Sequence, residues 1–502
     1  LLFGLDLGYI AGILAMPSFS NDVNGGLPLD DVTAGAITSV FSLGAMVSSF
    51  PPMASLVVDR FSRKGAIVLG AILFCAGALL QAFAFGLQMI CAGRIVSGMA
   101  IGLLSVNVPL YQGEMALPHL RGGLISLYQL AITAGIMMAF WINYAVEAQP
   151  GGWRISVVLQ LCPGLTLALG MSALPQSPRW LVSQGREREA GWALERVRGA
   201  AHDVAAEVRQ ISASFAAEMA TGEPSWREFS SGPMRRLVGI GVLLQLLQQL
   251  CGMNALMYYG PRIFERIGTS GFLFAGLSGV VNFVSTIPAI ALIDRAGRTT
   301  LLRCSAVGMT ISCIVLATVG DFCHLVYGQE SPCKLCRRTC GLGAPAQCVS
   351  CRSICFGEQS CQANQEAVAC FAIFFFIFNF AYGWGPVVWV YCAEIYPLKY
   401  RSKAAGLTTL ANWLGNTIIG FFPPLLFSAL GLHTFWIFAS FGGLCFVAAC
   451  WLPETRGKSL EEVTAMLSSS RSASMAGYKT ATSQRLSLHP GPTLLAEPLK
   501  NL

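Results

Sequence analysis

Runs of roughly 20 predominantly apolar residues, the length an α-helix needs to cross a bilayer, recur along this whole chain. In hydrocarbon every backbone N–H and C=O must pair within its own segment, so such runs fold as helices. Of the 502 residues, 54% are hydrophobic and only 12% charged, which is not the composition of a soluble globular protein. Twelve runs are read, at 1–16, 33–58, 65–85, 88–113, 122–146, 154–174, 236–262, 270–293, 300–320, 367–395, 404–430 and 433–452. The longest polar interruption, 175–235, separates a half at 1–174 from a half at 236–452 and leaves a tail at 453–502. The fold class expected is therefore an all-α, multi-pass membrane protein of two six-helix halves. The sequence opens inside an apolar run without a methionine, so a longer natural N-terminus is expected and no targeting segment is read.

Lysine and arginine set the orientation. Basic residues follow every even-numbered run: Arg60, Arg63 and Lys64; Arg121; Arg179 and Arg186; Arg295, Arg298 and Arg303; Lys399, Arg401 and Lys403; Arg456 and Lys458. The first outer loop, 17–32, holds Asp22, Asp30 and Asp31 and no basic residue. Both termini and the middle segment are expected to be cytoplasmic, in the plasma membrane. The net charge of +7 is spread in short clusters between apolar runs, which excludes a nucleic-acid surface. The middle segment carries Ala190, Leu194 and Val197 at helical spacing and predicts amphipathic helices. The Ser-, Pro- and Thr-rich tail is expected to be disordered.

An internal repeat supports the halves. Val58-Asp59-Arg60-Phe61-Ser62-Arg63-Lys64 is echoed by Ile293-Asp294-Arg295-Ala296-Gly297-Arg298. The segment from Glu114 to Arg121 is echoed by the one from Glu394 to Arg401. A duplicated six-helix unit is the parallel repeat of many transporters.

Within the seventh run, the apolar stretch that starts near Leu237 carries four side-chain amides and no charge as far as Pro261. Gln245, Gln248 and Gln249 fall at i, i+3 and i+4 on one helix face. An amide unpartnered in hydrocarbon costs several kcal/mol, so this face must meet protein or a wet cavity. Amides offer donors and acceptors without charge, which suits a neutral polyol. A break at Gly252 would swing Asn254 back towards the glutamines. Such amides can also simply bond neighbouring helices together.

The stretch from Gln248 to Tyr259, Gln-Gln-Leu-Cys-Gly-Met-Asn-Ala-Leu-Met-Tyr-Tyr, resembles the seventh-helix signature of the sugar porter family in the major facilitator superfamily. The resemblance implies a major facilitator fold of twelve helices. It also implies a sugar site of Gln129, Gln248, Gln249, Asn254, Asn282, Trp389 and Asn412, with Trp413 and Asn416 beside the last. Tyr258 and Tyr259 match the family's outer gate. Amides bind hydroxyls, and an indole face packs on a sugar's C–H face; for any one of these residues, helix packing is the competing role.

Asp6 and Arg94 are charges inside apolar runs. A carboxylate balanced between desolvation and a nearby arginine can load and release a proton; a static buried ion pair is the other reading. Proton-coupled members of the family carry aspartate at the position of Asp6, and passive ones often asparagine. Asp59, Arg60, Glu114, Arg121, Asp294, Arg295, Arg298, Glu394, Arg401 and Glu454 are expected to form a cytoplasmic gate of ion pairs bridging the halves, or to act only as topogenic charge. Two departures from the family pattern fall here: Gln176 stands for a glutamate, and Ser62 for a glycine.

The outer loop 321–366 lies outside the family pattern. Its Cys323, Cys333, Cys336, Cys340, Cys348, Cys351, Cys355 and Cys361 imply four disulfides of unread connectivity, with a zinc knuckle as the runner-up.

The function expected is proton-coupled import of a hexose-like sugar by alternating access, acting as a monomer, with no cofactor and no covalent chemistry. Facilitated uniport and a non-transporting nutrient receptor are the alternatives.

Overall fold

Helix α1 (Leu2–Ala15) stops at Met16, whose extended backbone turns the chain into α2 (Pro17–Val23) through 82°. The supposed outer loop 17–32 is thus partly helical: Pro17 starts α2, and Asp22 accepts the Trp153 indole N–H at 3.0 Å. In this computed structural model residues 1–116, 121–198, 203–222, 225–229, 232–327, 345–397 and 400–456 are described. Some side chains within them are not, including those of Asp59, Arg121, Asp294 and residues 320–363. The gate roles expected of those three residues and all eight loop cysteines therefore lie outside the described residues.

The first group of helices continues with α3 (Asp31–Ser49), α4 (Pro51–Ala82), α5 (Leu87–Met115), α6 (Arg121–Val146), α7 (Gly152–Leu159) and α8 (Leu161–Ala173). Asp30 caps α3 by accepting from the Thr33 amide at 3.1 Å. α1 lies against α6 through a stripe of small residues. A Cβ on Gly4 would sit 1.9 Å from the Ile132 carbonyl oxygen, and one on Gly12 would sit 2.3 Å from Asn143. Close approach of backbones is what holds helices together in lipid, where apolar burial gives no net drive.

The middle segment forms α9 (Pro178–Ser183), α10 (Glu187–Arg198), α11 (Val204–Thr221) and α12 (Trp226–Phe229). Leu181, Val182, Ala190 and Ala193 make a small core with Ile211 and Phe215. Ala190 and Leu194 are buried as their spacing predicts, but Val197 is exposed. Its neighbour Arg198 turns inward instead, pairing with Glu207 at 3.0 Å and donating to the Met115 carbonyl at 2.6 Å.

The second group comprises α13 (Gly232–Leu250), α14 (Met253–Ile267), α15 (Gly271–Ala296), α16 (Arg298–Tyr327), α17 (Pro345–Tyr382), α18 (Trp384–Ile395), α19 (Arg401–Leu430) and α20 (Thr434–Trp451). The two groups meet where α3 packs on α19, α1 on α14 and α6 on α15. Among the described residues, ten segments are long and apolar enough to cross a bilayer, or eleven with α1 and α2 taken as one bent span. Twelve runs were expected; the last segment, Lys403–Trp451, passes through both α19 and α20.

Candidate functional site

Beside α3 of the first group, α19 turns its amides towards those of its own group's α13. The face carrying Gln245, Gln248 and Gln249 is buried. α13 ends at Leu250, and Gly252 takes the left-handed backbone (φ 97°, ψ 5°) from which α14 starts. Any side chain there would meet the Phe438 ring at 2.6 Å. The break returns Asn254 to the glutamines, where its Nδ2 donates to Gln249 Oε1 at 2.6 Å.

Asn412 of α19 is the hub. It donates to Gln245 Oε1 at 2.6 Å and to Gln248 Oε1 at 2.8 Å, and it accepts from Gln249 Nε2 at 3.0 Å. Gln248 also donates to the carbonyls of Trp384 and Gly385, at 2.9 and 2.8 Å, where α17 breaks into α18. Asn416 donates to Gln249 at 3.3 Å and accepts from the Tyr258 hydroxyl at 2.7 Å and from Ser42 of α3. In this conformation the amides are therefore satisfied by one another and by backbone, rather than lining an open cavity. Buried polar groups take whatever partners are in reach. A cavity of about 220 Å³ lies elsewhere, between α1, α6 and α8, with Tyr9, Ile142 and Gln160 among its walls.

Tyr258 and Tyr259 are both buried, the second donating to the Gly420 carbonyl. Arg262 donates to the Leu14 carbonyl at 2.8 Å, and Ser428 to Asp31. The end of the bundle that carries α2 is thus closed by bonds between the two groups.

Of the other expected sugar contacts, Asn282 is buried on α15, while Gln129 on α6 and Trp389 on α18 are half-buried. None of the three bonds to the amide hub among the described residues. The fully enclosed indole is Trp384, whose N–H goes to the Leu302 carbonyl at 3.0 Å.

Asp6 and Arg94 do meet, both at 0% exposure. Arg94 Nη2 lies 3.5 Å from Asp6 Oδ2, an ion pair without hydrogen-bond geometry. Arg94 is held independently: Nε donates to the Ile37 carbonyl at 2.6 Å, Nη1 to the Tyr9 hydroxyl at 2.8 Å, and the cation lies 5.0 Å from the Phe41 ring centre. The Tyr9 hydroxyl donates to Gln81 Oε1, and Gln81 in turn donates to Ser97 at 3.1 Å. Tyr9 and Gln81 were not singled out from sequence. The available signals were an aromatic hydroxyl three residues after Asp6 and an uncharged amide in an apolar run.

At the basic end, one constellation occurs twice. Arg63 reaches Glu114 at 3.3 Å, and Arg298 reaches Glu394 at 2.8 Å. Ser177 donates to Glu114, and Thr455 to Glu394 at 2.6 Å. Tyr111 donates to the Pro175 carbonyl at 2.8 Å, and Tyr391 to that of Pro453 at 3.1 Å. The described ion pairs of the expected gate thus lie within each group and do not bridge the two. The reason is reach: each arginine opens a helical segment beside the glutamate ending its own group's neighbouring span. Arg60 and Arg295 are exposed, and Arg401 approaches the Tyr396 carbonyl at 3.5 Å. Glu454 accepts from the amides of Arg298 and Thr299 at 2.9 and 3.0 Å and from the Thr299 hydroxyl at 2.7 Å. Burial pushes its carboxyl up, but those donors outweigh burial and hold it below the usual glutamate range.

The family profile described as "Sugar (and other) transporter" matches residues 1–331 and 333–467. The galactose-proton symporter of Escherichia coli is 32% identical over 469 residues, covering 92% of this chain and 91% of that protein. A high-affinity hexose transporter of Saccharomyces cerevisiae is 32% identical over 485 residues, covering 93% of this chain and 79% of its own. Among solved structures, the proton:xylose symporter XylE bound to 6-bromo-6-deoxy-D-glucose matches with a TM-score of 0.70 and 26% identity, covering 93% of this chain and 97% of that one. The inward-open form of XylE from E. coli matches with a TM-score of 0.71 and 25% identity, over 93% and 96%.

Proposed function

The chain belongs to the sugar transporter family of the major facilitator fold, and we propose that it imports a hexose-like sugar together with a proton by alternating access. One observation carries the reading. The Gln248–Gln249–Asn254–Asn412 cluster lies within the second helix group and is tied to the first through Asn416, which donates to Gln249 and accepts from Ser42 of α3. Amides that satisfy one another can exchange those bonds for sugar hydroxyls at little net cost, because each lost bond is replaced in kind. Gln129, Asn282 and Trp389 would complete the site when the groups part, with Trp389 offering its ring face.

Asp6 is the proton site in this reading. Arg94 stays anchored by Ile37 and Tyr9 whichever state Asp6 is in, so protonation changes the field without freeing the arginine. The relatives named as proton symporters carry the same kind of transport, which supports coupling. Both termini lie in the cytoplasm, the membrane is the plasma membrane, and the transporter works as a monomer of two six-helix halves at 1–174 and 236–452. The eight cysteines of 321–366 form four disulfides on the outer face, which mass spectrometry checks: eight free thiols or bound zinc would sink that assignment.

The test uses purified protein in liposomes. Counterflow of labelled hexose is expected, and its absence would leave the nutrient-receptor reading. Sugar addition to expressing cells is expected to alkalinise the medium; sugar uptake without alkalinisation would leave uniport.

A further inference from the structure

The duplicated constellation at the basic end differs between its copies at one contact. In the second copy Gly297, at φ 90° and ψ 154°, turns the chain so that the amides of Arg298 and Thr299 face the Glu454 carboxylate. A Cβ on Gly297 would stand 2.8 Å from Glu454 Oε2. A bare backbone is therefore needed for the carboxylate to reach the helix start.

In the first copy the same turn is made by Ser62, at φ 67° and ψ 170°, the one described non-glycine residue with positive φ. Side chains rarely occupy that region. Ser62 is 1% exposed. Its hydroxyl accepts from the Gly65 amide at 3.2 Å, capping the second part of α4, and donates to Gln176 Oε1 at 2.7 Å. Gln176 follows Pro175 as Glu454 follows Pro453. The serine side chain thus does the capping that the Glu454 carboxylate does in the other copy, and the residue opposite is a neutral amide.

We infer that Ser62 and Gln176 are a matched positioning pair that seats the 175–177 segment, and the middle-segment helices behind it, beneath the first helix group. They replace one half-buried anion by a hydroxyl–amide bond. Among the described residues the first copy offers Arg63 one carboxylate, Glu114, whereas the second has two, Glu394 and Glu454, around the start of α16. The pair acts through Arg63–Glu114–Ser177 and touches no sugar-site residue. It should govern the rate at which the groups rearrange and not sugar affinity. The inference rests on the transport reading for its kinetic readout, but its protease readout stands without it.

The experiment compares Ser62→Gly, Gln176→Glu and the double variant in reconstituted full-length protein. Ser62→Gly removes the donor to Gln176, and Gln176→Glu brings in a carboxylate that the Ser62 side chain keeps from the helix-start amides, as a Cβ on Gly297 would keep Glu454 from its own. Each single variant is expected to lower kcat and to speed protease cleavage within 175–235, by roughly three- to tenfold, the weight of one hydrogen bond, with KM unchanged. The double variant recreates the Gly297–Glu454 arrangement and is expected to restore both readouts to within about twofold of the parent, a coupling that independent sites do not show. Single effects that multiply in the double, or a double variant that stays misfolded when either single one is, would overturn the pairing. A shift in KM equal to that in kcat would overturn the positioning role. If no variant transports, the cleavage rates alone still decide the pairing, and loss of transport by the parent would count against the transport reading instead.

Discussion

Gln249 donates to Asn412 at 3.0 Å, and that bond ties the end of α13 to the middle of α19. Asn412 uses both ends of its amide here, because Gln245 and Gln248 offer it only oxygens. Asn412→Asp keeps the shape and the acceptor but removes the donor. Two glutamine oxygens would then face a carboxylate, and turning Gln248 over would set its oxygen against the Trp384 and Gly385 carbonyls. Leaving such groups unpaired costs roughly 1–3 kcal/mol each. Asn412→Asp is expected to melt lower than Asn412→Ala, while both lose sugar affinity. Thermal unfolding in detergent with binding by counterflow checks this; an aspartate variant as stable as the parent would show that the hub is not a donor.

Trp384 and Trp389 lie five residues apart and have separate jobs. Trp384 is fully enclosed and bonded to Leu302, so Trp384→Phe removes that hydrogen bond and leaves a small void. A loss of about 2 kcal/mol or more in stability is expected, with KM little changed in the protein that folds. Trp389 is half-buried. Trp389→Phe is expected to leave stability within about 0.5 kcal/mol and to raise KM. Melting curves and uptake kinetics on the two variants separate the roles, and the same response from both would contradict them.

How far the sequence could be read follows from what sets each feature. The glutamine face and the break at Gly252 are local, being fixed by helix periodicity and by a glycine between two apolar stretches, and both stand in the structure. The meeting of Asp6 with Arg94 was readable because an isolated charge in hydrocarbon needs a counter-charge. What was not readable is which partners fill a site when it is closed. Asn412 satisfies three glutamines only because α19 crosses α13 at that height, and no spacing within one helix encodes a crossing. The basic-end residues show the same limit. Their motifs marked the repeat, yet pairing within a group rather than between groups depends on side-chain reach. Ser62 and Gln176 were visible as two unrelated departures; only their 2.7 Å contact makes them one.

Glu454 supplies an acid-sensitive contact. Its carboxyl is held below the ordinary value of 4.5 by the Thr299 hydroxyl and three backbone amides, against the upward pull of burial. A carboxylate whose folded value is depressed contributes stability in full above its unfolded value and loses it as pH falls through the folded one. Glu454→Gln keeps acceptor geometry at one oxygen and removes the charge. It is expected to cost roughly 1.5–3 kcal/mol near neutrality and to flatten the fall in melting temperature below about pH 4.5. Gly297→Ala is expected to be worse, since its Cβ enters the carboxylate's place at 2.8 Å. Melting temperature against pH for the three proteins is the measurement. An unchanged acid limb in Glu454→Gln would remove Glu454 from this role.

Asp6→Asn tests the proton site. The variant keeps size and removes the titrating charge. Arg94 retains the Ile37 carbonyl, the Tyr9 hydroxyl and the Phe41 ring, and the lost contact was a 3.5 Å pair without hydrogen-bond geometry. Two forces therefore compete. Breaking a buried ion pair costs roughly 3–5 kcal/mol when the remaining charge has no other support, but here the arginine's other bonds are in place before the aspartate is touched. The smaller effect should win, so the variant is expected to fold in good yield. The sugar contacts, Gln248, Gln249, Asn254 and Asn412, bond among themselves and to α18 and need no carboxylate. Exchange of labelled sugar across liposomes should persist, while accumulation against a gradient driven by a pH difference should vanish. Folded yield and accumulation thus respond in opposite ways to the structural and the coupling roles. An Asp6→Asn protein that folds normally and still concentrates sugar would place the proton elsewhere.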